Sequence, residues 1–157
     1  MFVNLTLGVG TMALCLALQI ALLARALIYY AHRQQLLDGA TFLATMTVMC
    51  GVMLLLMLGN LAQIALWALL FSFLGEFDSY ATAFYHSAVN FATLGYGDFV
   101  MSEKWRLLGP VEALNGILMV GVSTAAFMTT LRDAVKQSVR SAPSPEANQI
   151  ARIIGPN

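Results

Sequence analysis

Between residues 93 and 98 the chain reads Thr93-Leu94-Gly95-Tyr96-Gly97-Asp98. Two glycines flank one aromatic, a threonine leads and an acid closes. Glycine enters left-handed backbone without the clash a Cβ would cause. Alternate residues can therefore turn in opposite senses and aim successive carbonyl oxygens to one side of the strand. A ring of such carbonyls can replace the water around a bare cation. The bland alternative is a surface turn, which Gly-Tyr-Gly-Asp alone would also suit. The setting separates the two. A helix-length segment, 79–92, precedes the string and a strongly apolar span follows it. At membrane depth, irregular backbone is tolerated only where protein buries it or where it lines a watery path.

Other chemistry is sparse. The histidines are His32 and His86, and no Ser/His/Asp or metal-ligand grouping is legible, so the chain does not read as an enzyme. Cys15 and Cys50 both fall in apolar spans, where thiols behave as small hydrophobes. His32 reads as a solvated loop residue, with a pH sensor as the rarer alternative.

The composition says where the string sits. Hydrophobic residues make up 59% of the 157 and charged residues 10%, against about 25% charged in a soluble domain. The partner is therefore a lipid bilayer. The net charge of zero argues against nucleic acid.

Three stretches are long enough to cross, a bilayer needing about 20 apolar residues. The first lies within 1–31. No Lys or Arg precedes it, so it is expected to be retained rather than cleaved as a signal peptide. Gln19, in its middle, is expected to bond a neighbouring helix. Residues 31–40 read as a loop. The second span covers 41–73, about 50 Å as one helix, so it should tilt or bend, with Gly51 and Gly59 as bending points. Asn60 and Gln63 suit interhelical bonds and Trp67 an interfacial anchor. A short helix over 80–92 follows, capped by Asp78 or Ser79. It is too short to cross, so it must enter and stop with the negative end of its dipole toward the membrane centre, which favours a cation there. The last span is 107–131, with Pro110 in its first turn. Glu112 has two readings: a charge favoured near that helix start, or a buried group bonded to the short helix. Residues 137–157 read as mostly disordered.

Basic residues set the sidedness. Arg25, Arg33, Arg132, Lys136, Arg140 and Arg152 fall on one side, Lys104 and Arg106 on the other. The positive-inside rule puts the 31–40 loop and the C-terminus in the cytoplasm and the N-terminus outside.

Residues Thr93 to Asp98, with the short helix before and the span after, resemble the selectivity filter of the potassium channel family. The resemblance covers the segment 41–136: outer helix 41–73, pore helix 80–92, filter 93–98 and inner helix 107–131. It implies an all-α membrane protein of three transmembrane helices plus a re-entrant pore helix and filter, assembled as a homotetramer because each chain supplies one filter strand. It implies K⁺ as the permeant ion, held by the carbonyls of Thr93, Leu94, Gly95 and Tyr96 and by the Thr93 hydroxyl. Gly97 would turn the strand and Asp98 would sit at the outer mouth, which the family places outside the cell. Tyr85 and His86 resemble the aromatic cuff that supports the filter, with a satisfied packing histidine as the other reading of His86. Trp105 resembles the aromatic that opens the inner helix. Gly116 resembles the gating glycine, or is a close-packing site. Val120, Ser123, Thr124 and Phe127 follow at helical spacing as candidates for a cavity wall, with Phe127 a candidate constriction and plain packing the alternative for each. Leu94 stands where valine or isoleucine is usual, and Ala92 where many relatives have a second threonine. The first helix lies outside this module. No span carries the arginine spacing of a voltage sensor, and no soluble ligand-binding domain is expected in the tail.

The expected function is passive, K⁺-selective conduction through a tetrameric pore, compatible with a prokaryotic inner (plasma) membrane. The alternatives are a weakly selective cation channel and a non-conducting accessory subunit with a pore-like fold.

Overall fold

In the computed structural model of the chain, residues 2–36 and 42–141 are described. Four helices carry them: α1, Phe2–Leu36; α2, Phe42–Phe73; α3, Tyr80–Phe91; and α4, Leu108–Ser141. Three have stretches long and apolar enough to cross a membrane: Phe2–Tyr29, Met46–Phe73 and Leu108–Arg132. The short α3 lies between α2 and α4, and α1 packs on both of those long helices.

Two helices run past the ends expected from their apolar stretches. α1 continues past Ala31 to Leu36, so His32 and Arg33 are helical rather than in a loop. α4 continues through Ser141, ten residues past the expected end and into the segment read as disordered. The reason is the same for both. Apolarity marks where a helix meets lipid, whereas Ala134, Lys136, Gln137 and Arg140 are good helix formers with no need of lipid. The rest of the 31–40 loop and residues 142–157 lie outside the described residues.

α1 and α2 meet along a close seam. A Cβ at Gly59 would lie 2.7 Å from Leu22 Cδ1, and one at Gly51 would lie 3.3 Å from the Tyr29 ring. Both glycines, expected to be bending points, sit in an unbroken helix and face side chains of α1. Gln19 makes the expected interhelical bond: Gln63 Nε2 donates to its carbonyl at 2.7 Å, and its own Nε2 donates to Ser123 Oγ at 2.8 Å. At the other end, Asn4 Nδ2 donates to the Lys104 carbonyl at 2.6 Å. The N-terminus of α1 is thus on the same side as the loop leaving residues 93–98.

Trp67, expected at an interface, is fully buried with Cys15, Phe71, Ala83 and Leu108 in the largest apolar cluster. α2 is apolar all round, so its sequence shows no preferred face. Packing of α1 and α4 decides which side becomes interior.

α2 ends at Gly75, whose φ is +70°. Gly75 N–H bonds the Ser72 carbonyl and Glu76 N–H the Phe71 carbonyl, the paired bonds of a Schellman stop with glycine in the left-handed position. Ser79 then caps α3, its hydroxyl accepting from Thr82 N at 3.1 Å.

Candidate functional site

The C-terminus of α3 ends the way α2 does, with one change. Thr93 N–H bonds the Asn90 carbonyl at 2.8 Å, and Leu94 N–H bonds the Val89 carbonyl at 2.9 Å. This is the same Schellman pair, but the left-handed position holds threonine, at φ 58°. Gly95 at φ 59° and Gly97 at φ 75° repeat the left-handed turn two and four residues on. Left-handed backbone at every second position is what lets successive carbonyls share one side. A β-branched residue there is an outlier that surrounding structure must hold.

The strand is bare in the single chain. Leu94 is 55% exposed and Tyr96 66% exposed. Behind it runs an open cleft lined by His86, Asn90, Thr93, Gly95, Arg106 and Pro110.

Three sets of contacts hold the strand's ends. The first is around His86. Its ring packs on Phe71 and Phe77, with centroids 5.7 and 4.8 Å away. Nδ1 is 3.0 Å from the Phe99 carbonyl, and Asn90 Nδ2 is 2.8 Å from Nε2. A carbonyl only accepts, so Nδ1 carries the hydrogen and Nε2 accepts from Asn90. Burial lowers the His86 pKa from its ordinary value, opposed first by the Phe99 carbonyl, so the ring is neutral. The second is Tyr85, its ring edge-on to Phe99 at 5.9 Å. The Asp98 carboxylate beside its hydroxyl holds that phenol above its ordinary value. Asp98 Oδ1 also accepts from Phe99 N at 3.1 Å. The third is Glu76, whose two carboxylate oxygens accept from Ser102 N and Ser102 Oγ, each at 2.7 Å. This ties the loop entering α3 to the loop leaving the strand.

Behind α3, Glu112 is fully buried, five residues into α4's described span. Ser87 Oγ contacts both the Ile64 carbonyl, at 2.8 Å, and Glu112 Oε1. The reading of Glu112 as a helix-start charge is therefore corrected: it lies beyond the first turn and faces α3. Gly116 is a close-packing position. A Cβ there would sit 2.0 Å from the Phe91 carbonyl oxygen, so glycine is required by contact with the end of α3, and the hinge reading is not needed to explain it.

The cavity-wall candidates part company. Val120 and Thr124 are exposed on the free face of α4, Thr124 Oγ1 donating to the Val120 carbonyl at 2.9 Å. Phe127 is half-buried. Ser123 is turned inward, accepting from Gln19 and donating to the Met119 carbonyl at 2.8 Å. It is a corrected case: its spacing fits a wall, but α1 occupies that side. Trp105 is buried against Leu108 and Val111, just before α4 begins. Ser87, Asn90 and Glu76 were not singled out in the sequence. The spacing of His86 and Asn90, one helical turn apart, was the available signal for one pair. Nothing local marks Glu76, whose partner lies 26 residues away.

Among the described residues no group of three His, Cys, Asp or Glu side chains could hold a metal. The donors concentrated at residues 93–97 are main-chain oxygens.

The model of a family described as "Ion channel" matches residues 16–133, most of the chain. The chain belongs to the ion channel family. It is accordingly an ion channel with three candidate membrane spans, an integral membrane protein whose family points to transport rather than catalysis. The match begins within α1 and runs to the polar part of α4, so it takes in the strand and every contact described around it. No curated protein and no solved structure matches the chain.

Proposed function

We propose that this ion channel is K⁺-selective and conducts passively through a homotetrameric pore whose filter is the strand Thr93 to Asp98. The observation that carries the reading is the left-handed backbone at Thr93, Gly95 and Gly97. Such a strand orients oxygens toward an axis that one chain cannot enclose. The exposure of Leu94 and Tyr96 supports the same reading, since apolar and aromatic side chains beside an ion path need cover from neighbouring copies. The carbonyls of Thr93, Leu94, Gly95 and Tyr96 then replace the hydration shell of K⁺, and Asp98 stands at the outer mouth with Tyr85 of the cuff beside it. The filter side and the N-terminus face outward and the end of α4 faces the cytoplasm, in keeping with the distribution of basic residues.

Purified protein in liposomes with a K⁺ gradient tests this. K⁺ flux blocked by Ba²⁺ and much smaller Na⁺ flux are expected. Equal K⁺ and Na⁺ flux gives the weakly selective channel instead. No flux from an intact tetramer gives the accessory subunit. Gly95→Ala places a Cβ on backbone at φ 59°, and its flux should be abolished. Normal conduction by that variant would overturn the filter assignment.

A further inference from the structure

Three oxygens meet where α2, α3 and α4 touch, and they do not share enough hydrogens unless one is added. Ser87 Oγ contacts the Ile64 carbonyl oxygen and Glu112 Oε1. A serine hydroxyl has one hydrogen to give, and a carbonyl has none. If that hydrogen goes to Glu112, Ser87 Oγ and the Ile64 oxygen face each other at 2.8 Å with only lone pairs between them. If it goes to Ile64, the contact with Glu112 has a hydrogen only when the carboxyl supplies it.

We propose that Glu112 is a neutral carboxylic acid in the folded protein, donating to Ser87 Oγ while Ser87 donates to the Ile64 carbonyl. The pair of bonds forms a clasp in series from α4 through α3 to α2. Two further observations point the same way. Glu112 is 0% exposed, and its second oxygen, Oε2, has no hydrogen-bond partner. A carboxylate would leave half its charge bare in an apolar junction, a heavy desolvation cost, whereas the carbonyl oxygen of an acid tolerates that much better. Among the described residues, the groups that act on it or feel it are the Cys15 thiol from α1 and Ser87 and Asn90 from α3, none of them a cation. Asn90 in turn bonds His86, whose ring is neutral by its own bonds. Glu112 is here a positioning residue. It acts on the strand through Ser87 and α3, and the proposal does not rest on which ion passes.

Infrared spectroscopy of the full-length protein in lipid, at neutral pH and without flux, tests it. The sequence contains eight acidic residues in all, so one protonated carboxyl should be resolvable. The wild type should show a protonated-carboxyl C=O stretch that is lost in Glu112→Gln. Because a glutamine amide can still donate to Ser87, Glu112→Gln should also keep the thermal midpoint that Glu112→Ala loses. If Glu112→Gln does not assemble, Ser87→Ala supplies the assignment by shifting the same stretch, since its acceptor is gone. Absence of the band from the wild type, its survival in Glu112→Gln, or an unshifted band in Ser87→Ala overturns the proposal.

Discussion

Thr93 and Gly75 hold the same backbone position at the ends of two different helices. At Gly75 the left-handed turn is free of side-chain strain. At Thr93 it carries the cost of a β-branched residue, of order 1–3 kcal/mol. Such a cost is retained where the side chain has work to do, and Thr93 brings a hydroxyl to the start of the strand proposed as the filter. Gly116 shows the opposite constraint, where the absence of a side chain is the requirement. Gly116→Ala drives a methyl group into the Phe91 carbonyl and should destabilise the assembled protein by about 1–3 kcal/mol or more, read as a lower thermal midpoint together with lost conduction. His86 sets a pH dependence with a definite sign. Its pKa is lowered by burial, so the unfolded chain binds the proton first as pH falls through about 6.5. The stability from neutral His86 is fully present above that value and drains away on acidification. The thermal midpoint should fall between about pH 7 and pH 5, and His86→Gln should flatten that fall. A wild-type midpoint that rises on acidification would contradict the assignment.

The helices themselves were largely legible, because three long apolar stretches and one short segment opened by Ser79 need no partner to be recognised. What escaped was set by contact between helices. α2 is apolar on every side, so nothing in it reveals that Trp67 is interior. Val120, Ser123, Thr124 and Phe127 share a spacing, and only the position of α1 turns Ser123 away from the free face. α1 is bound to this framework by a directional relay, Gln63 to Gln19 to Ser123 to the Met119 carbonyl. Gln19→Leu removes the middle of that relay and leaves the Gln63 amide unpaired in an apolar seam. The expected loss is about 1–2 kcal/mol, the size of a buried interhelical hydrogen bond, seen as a lower thermal midpoint. An unchanged midpoint would mean that α1 is only loosely attached.

For the whole molecule, the single chain leaves its most distinctive segment uncovered. Leu94 and Tyr96 are exposed, although the same chain fully buries Gln19, Gln63, Ser87 and Glu112. The string at 93–98 marks where this segment is, but one sequence contains no second copy and so carries no record of what encloses it. If four copies bind K⁺ between their strands, the ion stabilises the assembly by mass action, by about 2.7 kcal/mol when present at a hundred times its dissociation constant. The tetramer's dissociation temperature should therefore climb with K⁺ concentration at fixed ionic strength and stay flat when Na⁺ replaces it. Equal response to both ions would remove the selective site.

The bare contact between Gly116 and the Phe91 carbonyl seats α4 directly on the end of α3. Before it, Glu112 touches Ser87 of α3 and Trp105 packs with Leu108 and Val111 in the largest apolar cluster. Beyond it, the helix continues for 25 residues to Ser141, held on the way by Met119 against Ile64 and Phe91 and by Ser123 against Gln19. Any shift of α4 at Gly116 therefore bears directly on the last peptide of α3, two residues before Thr93.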